Sequence, residues 1–422
     1  MCNKPLDNAV VSLDGHAYPV RITSALVDPA LIDLPWSVPL EQWPADQLVA
    51  LPQGISRHIV RFVRLAGTVY AVKETRERIA EREYDLLRAL ERLGAPAVEA
   101  VAIVADRIGE LEPVLVTRHL QFSLPYRALF SHTLRPQTLD RLLDALAALL
   151  VRLHLLGFFW GDCSLSNTLF RRDAGAFAAY LVDAETGALH PRLSDGQRGE
   201  DLEIARVNIF GEALDLQAAG LLHDSVDPEQ VSDEVVRRYD TLWHELTFEE
   251  SVGTDTRRQI DKRIRRLNEL GFCVEEVAMS VVEDGDSGER RITLRPKVVD
   301  AGHHTRRLMR LTGLDAEENQ ARALLNDLDA YRAESEEIHD EAQAAHRWVT
   351  EVFEPVIRAV PPHLRGKLEP PELFVQIIEH RYALSERAGR DVGLAPAVQS
   401  FLSEVLVHRP DEQAILGFDP DF

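Results

Sequence analysis

Leu139, Leu142, Leu143, Leu146, Leu149, Leu150 and Leu153 recur at the 3.6-residue period of a helix, in a stripe wide enough to be buried. The stripe lies between Pro136 and Leu156 and runs through Phe158-Phe159 into the polar loop WGDCSLSN, residues 160 to 167. No other feature limits the fold as strongly. A leucine-rich helix sunk in an apolar lobe delivers Asp162 and Asn167, five positions apart, onto a loop. A carboxylate held there can orient an attacking hydroxyl, and an amide oxygen can ligate a metal. Asp and Asn are also ordinary turn formers, so the pair gains chemical meaning only from what converges on it.

Upstream, the run IVRFVRLAGTVYAVKE from Ile59 to Glu74 breaks at Ala66-Gly67 and predicts two antiparallel strands joined by a tight turn. Strand alternation sets Lys73 on the face of Val69 and Ala71, an unusual place for a solvated lysine. A helix follows from about Arg76 to Leu93, stopped by Gly94 and Pro96. Ile79, Glu83, Leu86, Leu87 and Leu90 share one face of it, so a buried Glu83 needs a cationic partner, and Lys73 is the obvious one. Glu81 points the other way. Taken alone, Lys73 could be an edge-strand lysine and Glu83 a boundary residue reaching water. Two more strands are expected around Val98 to Val104 and Pro113 to Thr117. Ala178 to Val182 reads as a short apolar strand ending at Asp183, sixteen residues after Asn167, although a strand-end Asp is often just a turn residue.

Phosphoryl transfer from ATP needs a cation on the phosphates, acidic and amide ligands for Mg²⁺, and a carboxylate beside the nucleophile. Lys73, Glu83, Asp162, Asn167 and Asp183 supply these in order. The order of strand Lys, helix Glu, D-x-x-x-x-N loop and strand-end Asp resembles the protein-kinase-like superfamily over about residues 50 to 220. GDCSLSN is similar to the atypical RIO-type and lipopolysaccharide-kinase-type branches, with Ser164 where ordinary protein kinases carry Lys and Gly161 where they carry Arg. The whole chain also resembles an uncharacterised actinobacterial family that couples such a region to a C-terminal domain of unknown function. The resemblance implies that Lys73 holds the α and β phosphates, Glu83 pairs with it, Asp162 is the catalytic base, and Asn167 and Asp183 bind Mg²⁺. Asp201 would buttress the catalytic loop. The phosphate-covering stretch LPQGISRH departs from the glycine-rich pattern, leaving Gly54, Ser56 and Arg57 to contact the nucleotide. Ala184-Glu185 stands in place of Phe-Gly.

The expected fold is α+β: a bilobal protein-kinase-like fold, with a small antiparallel-sheet N-lobe and a helical C-lobe, and an additional C-terminal α+β domain. The expected divisions are an irregular, Pro- and Asp-rich N-terminal arm at 1–45, the lobes at 46–119 and 120–222, the C-terminal α+β domain at 223–335 and a helical tail at 336–422. That domain should hold helices around Val231 to Leu246 and Thr256 to Leu270, a hairpin of Val274 to Val282 with Arg291 to Val299, and helices Thr305 to Leu311 and Ala316 to Tyr331.

With 47 Lys plus Arg against 69 Asp plus Glu, the net charge of −22 repels nucleic acid and anionic membrane over most of the surface. Cys2, Cys163 and Cys273 have no metal-ligand spacing, which suits a reducing cytoplasm. Neither a signal peptide nor a membrane span is expected. Arg290, Arg291, Arg295, Lys297, Arg306, Arg307 and Arg310 form a basic cluster that either binds an anionic partner or is a solvated face neutralised by the acidic helix Glu317 to Glu337. The leading reading is an ATP- and Mg²⁺-dependent kinase of atypical class acting on a hydroxyl of a protein, sugar, lipid or small molecule. The alternative is a pseudokinase scaffold or regulator acting through its C-terminal domain, with nucleic acid as one partner.

Overall fold

The computed structural model describes residues 6–13, 16–24, 29–49, 58–129, 136–222, 226–247, 250–252, 267, 272–283, 290–299, 302–334 and 340–412. Gly54, Ser56 and Arg57 lie outside them, as does most of the helix expected at Thr256 to Leu270.

The N-terminal segment is not the irregular arm its prolines suggest. It contributes strands β1 (Leu6–Leu13) and β2 (His16–Ser24), and β2 buries Val20 and Ile22 at period two. Pro29, Pro35, Pro39 and Pro44 lie beyond the strands, in a stretch of short 3₁₀ turns. Next come β3 (Ile59–Leu65) and β4 (Thr68–Glu74), turning at Ala66 and Gly67 with φ of 46° and 86°, the left-handed pair that matches strand twist. Helix α1 (Glu77–Arg92) leads to β5 (Glu99–Ala105) and β6 (Val114–Arg118). Together they form a six-stranded antiparallel sheet of order β1-β2-β5-β6-β4-β3. Val63, Val72, Val104 and Val116 project from one face onto Leu31, Trp36, Leu40 and Trp43. The buried Arg107 guanidinium fastens that cover by donating to the carbonyls of Trp36 and Val38 and to Glu74.

The other sheet face packs α1 and joins the helical lobe. After β7 (Leu124–Pro125) and the single turn α2 (Tyr126–Leu129) comes α3 (Pro136–Leu155), whose leucines form the centre of the largest core. Truncating one of these, such as Leu146 to alanine, costs about 2–5 kcal/mol. β8 (Phe158–Phe159) enters the polar loop, and then β9 (Thr168–Asp173) and β10 (Ala176–Leu181) form a hairpin whose first strand the sequence does not announce. Following β11 (Ala188–Leu189) are α4 (Asp195–Ala218), opened by a Ser194–Gln197 capping box, and α5 (Pro228–Thr247). The sequence predicts a separate domain at 223–335, yet Val231, Val235, Tyr239 and Leu242 of α5 enter the same core as α3 and α4.

A small sheet of β12 (Glu250–Val252), β14 (Arg290–Val299) and β13 (Cys273–Glu283), in that order, includes the expected hairpin. The helices α6 (His303–Thr312), α7 (Glu318–Glu334), α8 (Glu341–Trp348), α9 (Glu354–Ala359), α10 (Pro370–Ala388) and α11 (Leu394–Ser400) complete the C-terminal unit. Leu308, Leu324, Leu328, Trp348, Phe353, Phe374 and Phe401 form its own core. Among the described residues no helix is long and apolar enough to cross a membrane.

Candidate active site

Lys73 leaves β4 between Val60 of β3 and Leu115 of β6 and reaches into a cavity of about 570 Å³ between the sheet and the helical lobe. Its ammonium donates to three carboxylates: Glu83 at 3.0 Å, Asp183 at 2.6 Å and Glu185 at 2.9 Å. Glu83 is 2% exposed, on the α1 face that also buries Tyr84 and Leu87, while Glu81 is exposed. Burial and then the charge of Asp183 push the Glu83 carboxyl up from the ordinary range. Burial would lower Lys73, but Glu83 and Asp183 outweigh it and hold the ammonium charged.

Asp183 follows β10 by two residues. Its carbonyl accepts from the Trp160 indole at 2.8 Å, and its Oδ1 accepts from the Glu185 amide at 2.9 Å. Ala184, standing where kinases carry Phe, is fully buried, and Arg82 of α1 donates to the Gly187 carbonyl at 2.6 Å. The segment after Asp183 is thereby tied to both lobes.

The loop at 160–167 is held from below by α4. Asp201, itself fully buried, accepts from the backbone amides of Trp160 at 2.8 Å and Gly161 at 2.7 Å and contacts the buried His154 Nε2 at 2.9 Å. This is the buttress the sequence predicts. Gly161 sits at φ 75°, a left-handed conformation an arginine there would resist. Two turns further along α4, Asn208 Nδ2 donates to Asp162 Oδ1 at 2.9 Å, and Glu212 accepts from the amides of Leu165 and Ser166 at 2.6 and 3.1 Å. Asn167 Nδ2 donates to the Asp162 carbonyl and to Oδ2, at 3.0 and 3.1 Å. The Asp162 carboxylate thus has an amide donor on each oxygen, and Asn167 presents its own oxygen as the group suited to a cation.

Lys73, Glu83, Asp162, Asn167 and Asp183 all line the one cavity, joined by residues the sequence reading did not single out. Glu185 is one, and it also meets His58 Nε2 at 3.0 Å. Asn208 and Glu212 are the others; their signal is polar side chains four apart on a helix that is otherwise apolar at Ala205, Ile209, Ala213 and Leu216. His119, just past β6, carries a buried Nε2 without a hydrogen-bond partner and lines the same cavity. Burial lowers its pKa to about 4, so the ring is a neutral hydrogen-bonding group.

The donor set suits a divalent cation. One oxygen each of Glu83, Asp183 and Glu185 lie within 4.8 Å of one another, and three carboxylates face one lysine. The surplus negative charge, the hard oxygen ligands and the oriented Asn167 amide are what Mg²⁺ requires. Of the basic cluster between Arg290 and Arg310, Arg307 is engaged by Glu341 at 2.6 Å, while the side chains of Arg290, Arg291, Arg295 and Lys297 lie outside the described residues.

Residues 63–209 match the lipopolysaccharide kinase (Kdo/WaaP) family, and residues 241–406 match a domain of unknown function, DUF4032. A solved structure described as WaaP in complex with acyl carrier protein aligns over 59% of this chain and 99% of its own, at 17% identity and a TM-score of 0.36. No curated protein matches the chain. The family match carries the assignment of fold together with the sheet, helical lobe and cleft described above. The chain therefore has an atypical protein-kinase-like fold in the region that is similar to the lipopolysaccharide kinase (Kdo/WaaP) family, followed by a region similar to DUF4032.

Proposed function

We propose that this chain is an ATP- and Mg²⁺-dependent kinase that transfers the γ-phosphoryl group to a hydroxyl of a sugar-bearing or lipid acceptor. The observation that carries this reading is the triple contact of Lys73 with Glu83, Asp183 and Glu185, facing the Asp162–Asn167 pair across one cavity. The match to a lipopolysaccharide kinase family favours a sugar hydroxyl over a protein one.

In this reading Lys73 holds the α and β phosphates. An ammonium has three donors and all three are engaged, so phosphate binding requires one carboxylate to let go. Glu185 is the candidate, because His58 gives it a second charged-group partner to fall back on. Asn167 and Asp183 would hold Mg²⁺, with Glu185 as a further oxygen ligand, and the ion would neutralise charge on the phosphates. Asp162, fixed by Asn167 and Asn208, orients the acceptor hydroxyl and takes its proton. His119 offers its neutral Nε2 to the nucleotide base.

Incubation with γ-labelled ATP and Mg²⁺ tests this. A positioned base contributes about 10²- to 10⁴-fold, so Asp162→Asn should lose turnover by that factor with ATP affinity retained. Equal labelling or phosphate release by parent and variant would contradict the assigned role. Absence of any transfer with ATP still bound would favour the scaffold reading.

A further inference from the structure

The β9–β10 hairpin connects two places with no evident reason to communicate. At its open end Asn167 immediately precedes β9 and Val182-Asp183 follows β10; Thr168 pairs with Leu181, and the Val182 amide donates to the Asn167 carbonyl at 3.0 Å. Toward its tip it is gripped by the C-terminal unit. Arg171 spans Glu317, at 2.8 Å, and Glu369. Tyr180 donates to Glu317 at 2.7 Å. Asp173 accepts from Asn319 Nδ2 at 2.8 Å and from the Gln320 amide at 2.9 Å. Gln320 Nε2 in turn reaches the Arg172 carbonyl, Glu369 and Glu372, and Glu372 accepts from the Ala174 amide at the turn.

These groups are sealed from water. Arg171 is 9% exposed, Asp173 4%, Glu317 7%, Glu369 5% and Gln320 0%. An ion-pair network of this kind is a poor source of stability compared with apolar packing of the same volume, whereas its geometry is demanding. What it supplies is a fixed register between two units. Asn167 lies four residues from Arg171 along one strand, about 13 Å at the rise of a β-strand, and the hydrogen-bonded ladder between them is a rigid, contiguous element.

We propose that the C-terminal DUF4032 unit is a built-in positioning element for the cation site: its contacts with Arg171, Asp173 and Tyr180 set the register at which the hairpin presents Asn167 and Asp183. Arg171 and Tyr180 are positioning residues that touch neither nucleotide nor acceptor. This inference rests on the reading of Asn167 and Asp183 as the residues that hold Mg²⁺. It assigns the C-terminal unit a role in the chemistry of the kinase-like region beyond its own folding.

The test is binding of a fluorescent ATP analogue to the full-length chain, titrated with MgCl₂, for parent, Arg171→Met, Arg171→Lys, Tyr180→Phe and Asp183→Asn, each checked for folding by circular dichroism. Arg171→Met should raise the Mg²⁺ concentration at half-maximal binding about tenfold, Tyr180→Phe by less, and Arg171→Lys should recover part of the loss. Binding without Mg²⁺ should be unchanged, and amide exchange across 167–183 should quicken in step with the shift. Tyr180→Phe loses a single hydroxyl and carries the test if Arg171→Met does not fold. Folded Tyr180→Phe and Arg171→Met variants with the parent's Mg²⁺ midpoint, beside a shifted Asp183→Asn, would overturn the positioning role alone. An unshifted Asp183→Asn would overturn the cation-site reading and this inference with it.

Discussion

Lys73 is 12% exposed and balances three carboxylates, so its removal leaves a cluster of like charges in a confined space. Breaking a buried pair from one side typically costs about 3–5 kcal/mol. Lys73→Met should therefore destabilise the chain by about that amount in urea unfolding. Adding Glu83→Gln should restore part of it, since residues in direct contact couple by about 0.5–3 kcal/mol. Strict additivity would show that the pair does not interact as described. The pairing itself was legible in the sequence because strand alternation and helix periodicity point Lys73 and Glu83 at each other. Glu185 was not, because two residues past a strand end nothing periodic specifies where a side chain turns.

At the scale of elements, α4 organises the polar loop at 160–167. Asp201, Asn208 and Glu212 lie seven and four residues apart on one helix face and together hold Trp160, Gly161, Asp162, Leu165 and Ser166. The sequence shows Asp201 as a buttress only through resemblance to kinases, whereas the 208–212 spacing is present in the sequence but carries no mark that sets it apart from an ordinary exposed helix face. α1, α3 and the strands around Lys73 follow their periodicities to within a residue or two. β9 escaped because TLFRRD offers Arg171, Arg172 and Asp173 at a place where a buried strand should be apolar. Arg171 and Asp173 are buried against partners more than a hundred positions away, information no local pattern contains. β1 and β2 escaped for the complementary reason: the prolines that follow them dominate the composition of the whole segment.

Across the whole molecule, the network joining hairpin to C-terminal unit leaves a pH signature. Burial and then the charge of Glu317 push the Asp173 carboxyl up to about 8. An aspartate in the unfolded chain titrates near about 4, so the folded protein retains a proton that the unfolded chain releases between those values. Stability from this group is complete at the acid end and is lost as pH rises from about 4 through about 8. Burial raises Glu317, Glu369 and Glu412 in the same direction. Urea unfolding at about pH 5, 6.5 and 8 should show falling stability. Asp173→Asn should flatten that slope, and an unchanged slope would remove Asp173 as its source.

The account turns on one cation meeting Asn167 and Asp183 beside Lys73, which the chain order places 110 positions before Asp183. The most direct measurement is a crystal structure with Mn²⁺ and a non-hydrolysable ATP analogue, locating the metal by its anomalous scattering. The account predicts a peak at octahedral ligand distance, about 2.1 Å, from oxygens of Asn167 and Asp183, with Lys73 on the phosphates and Asp162 facing the γ-phosphoryl group. A metal with neither Asn167 nor Asp183 among its ligands, or a nucleotide bound away from this cavity, would contradict it.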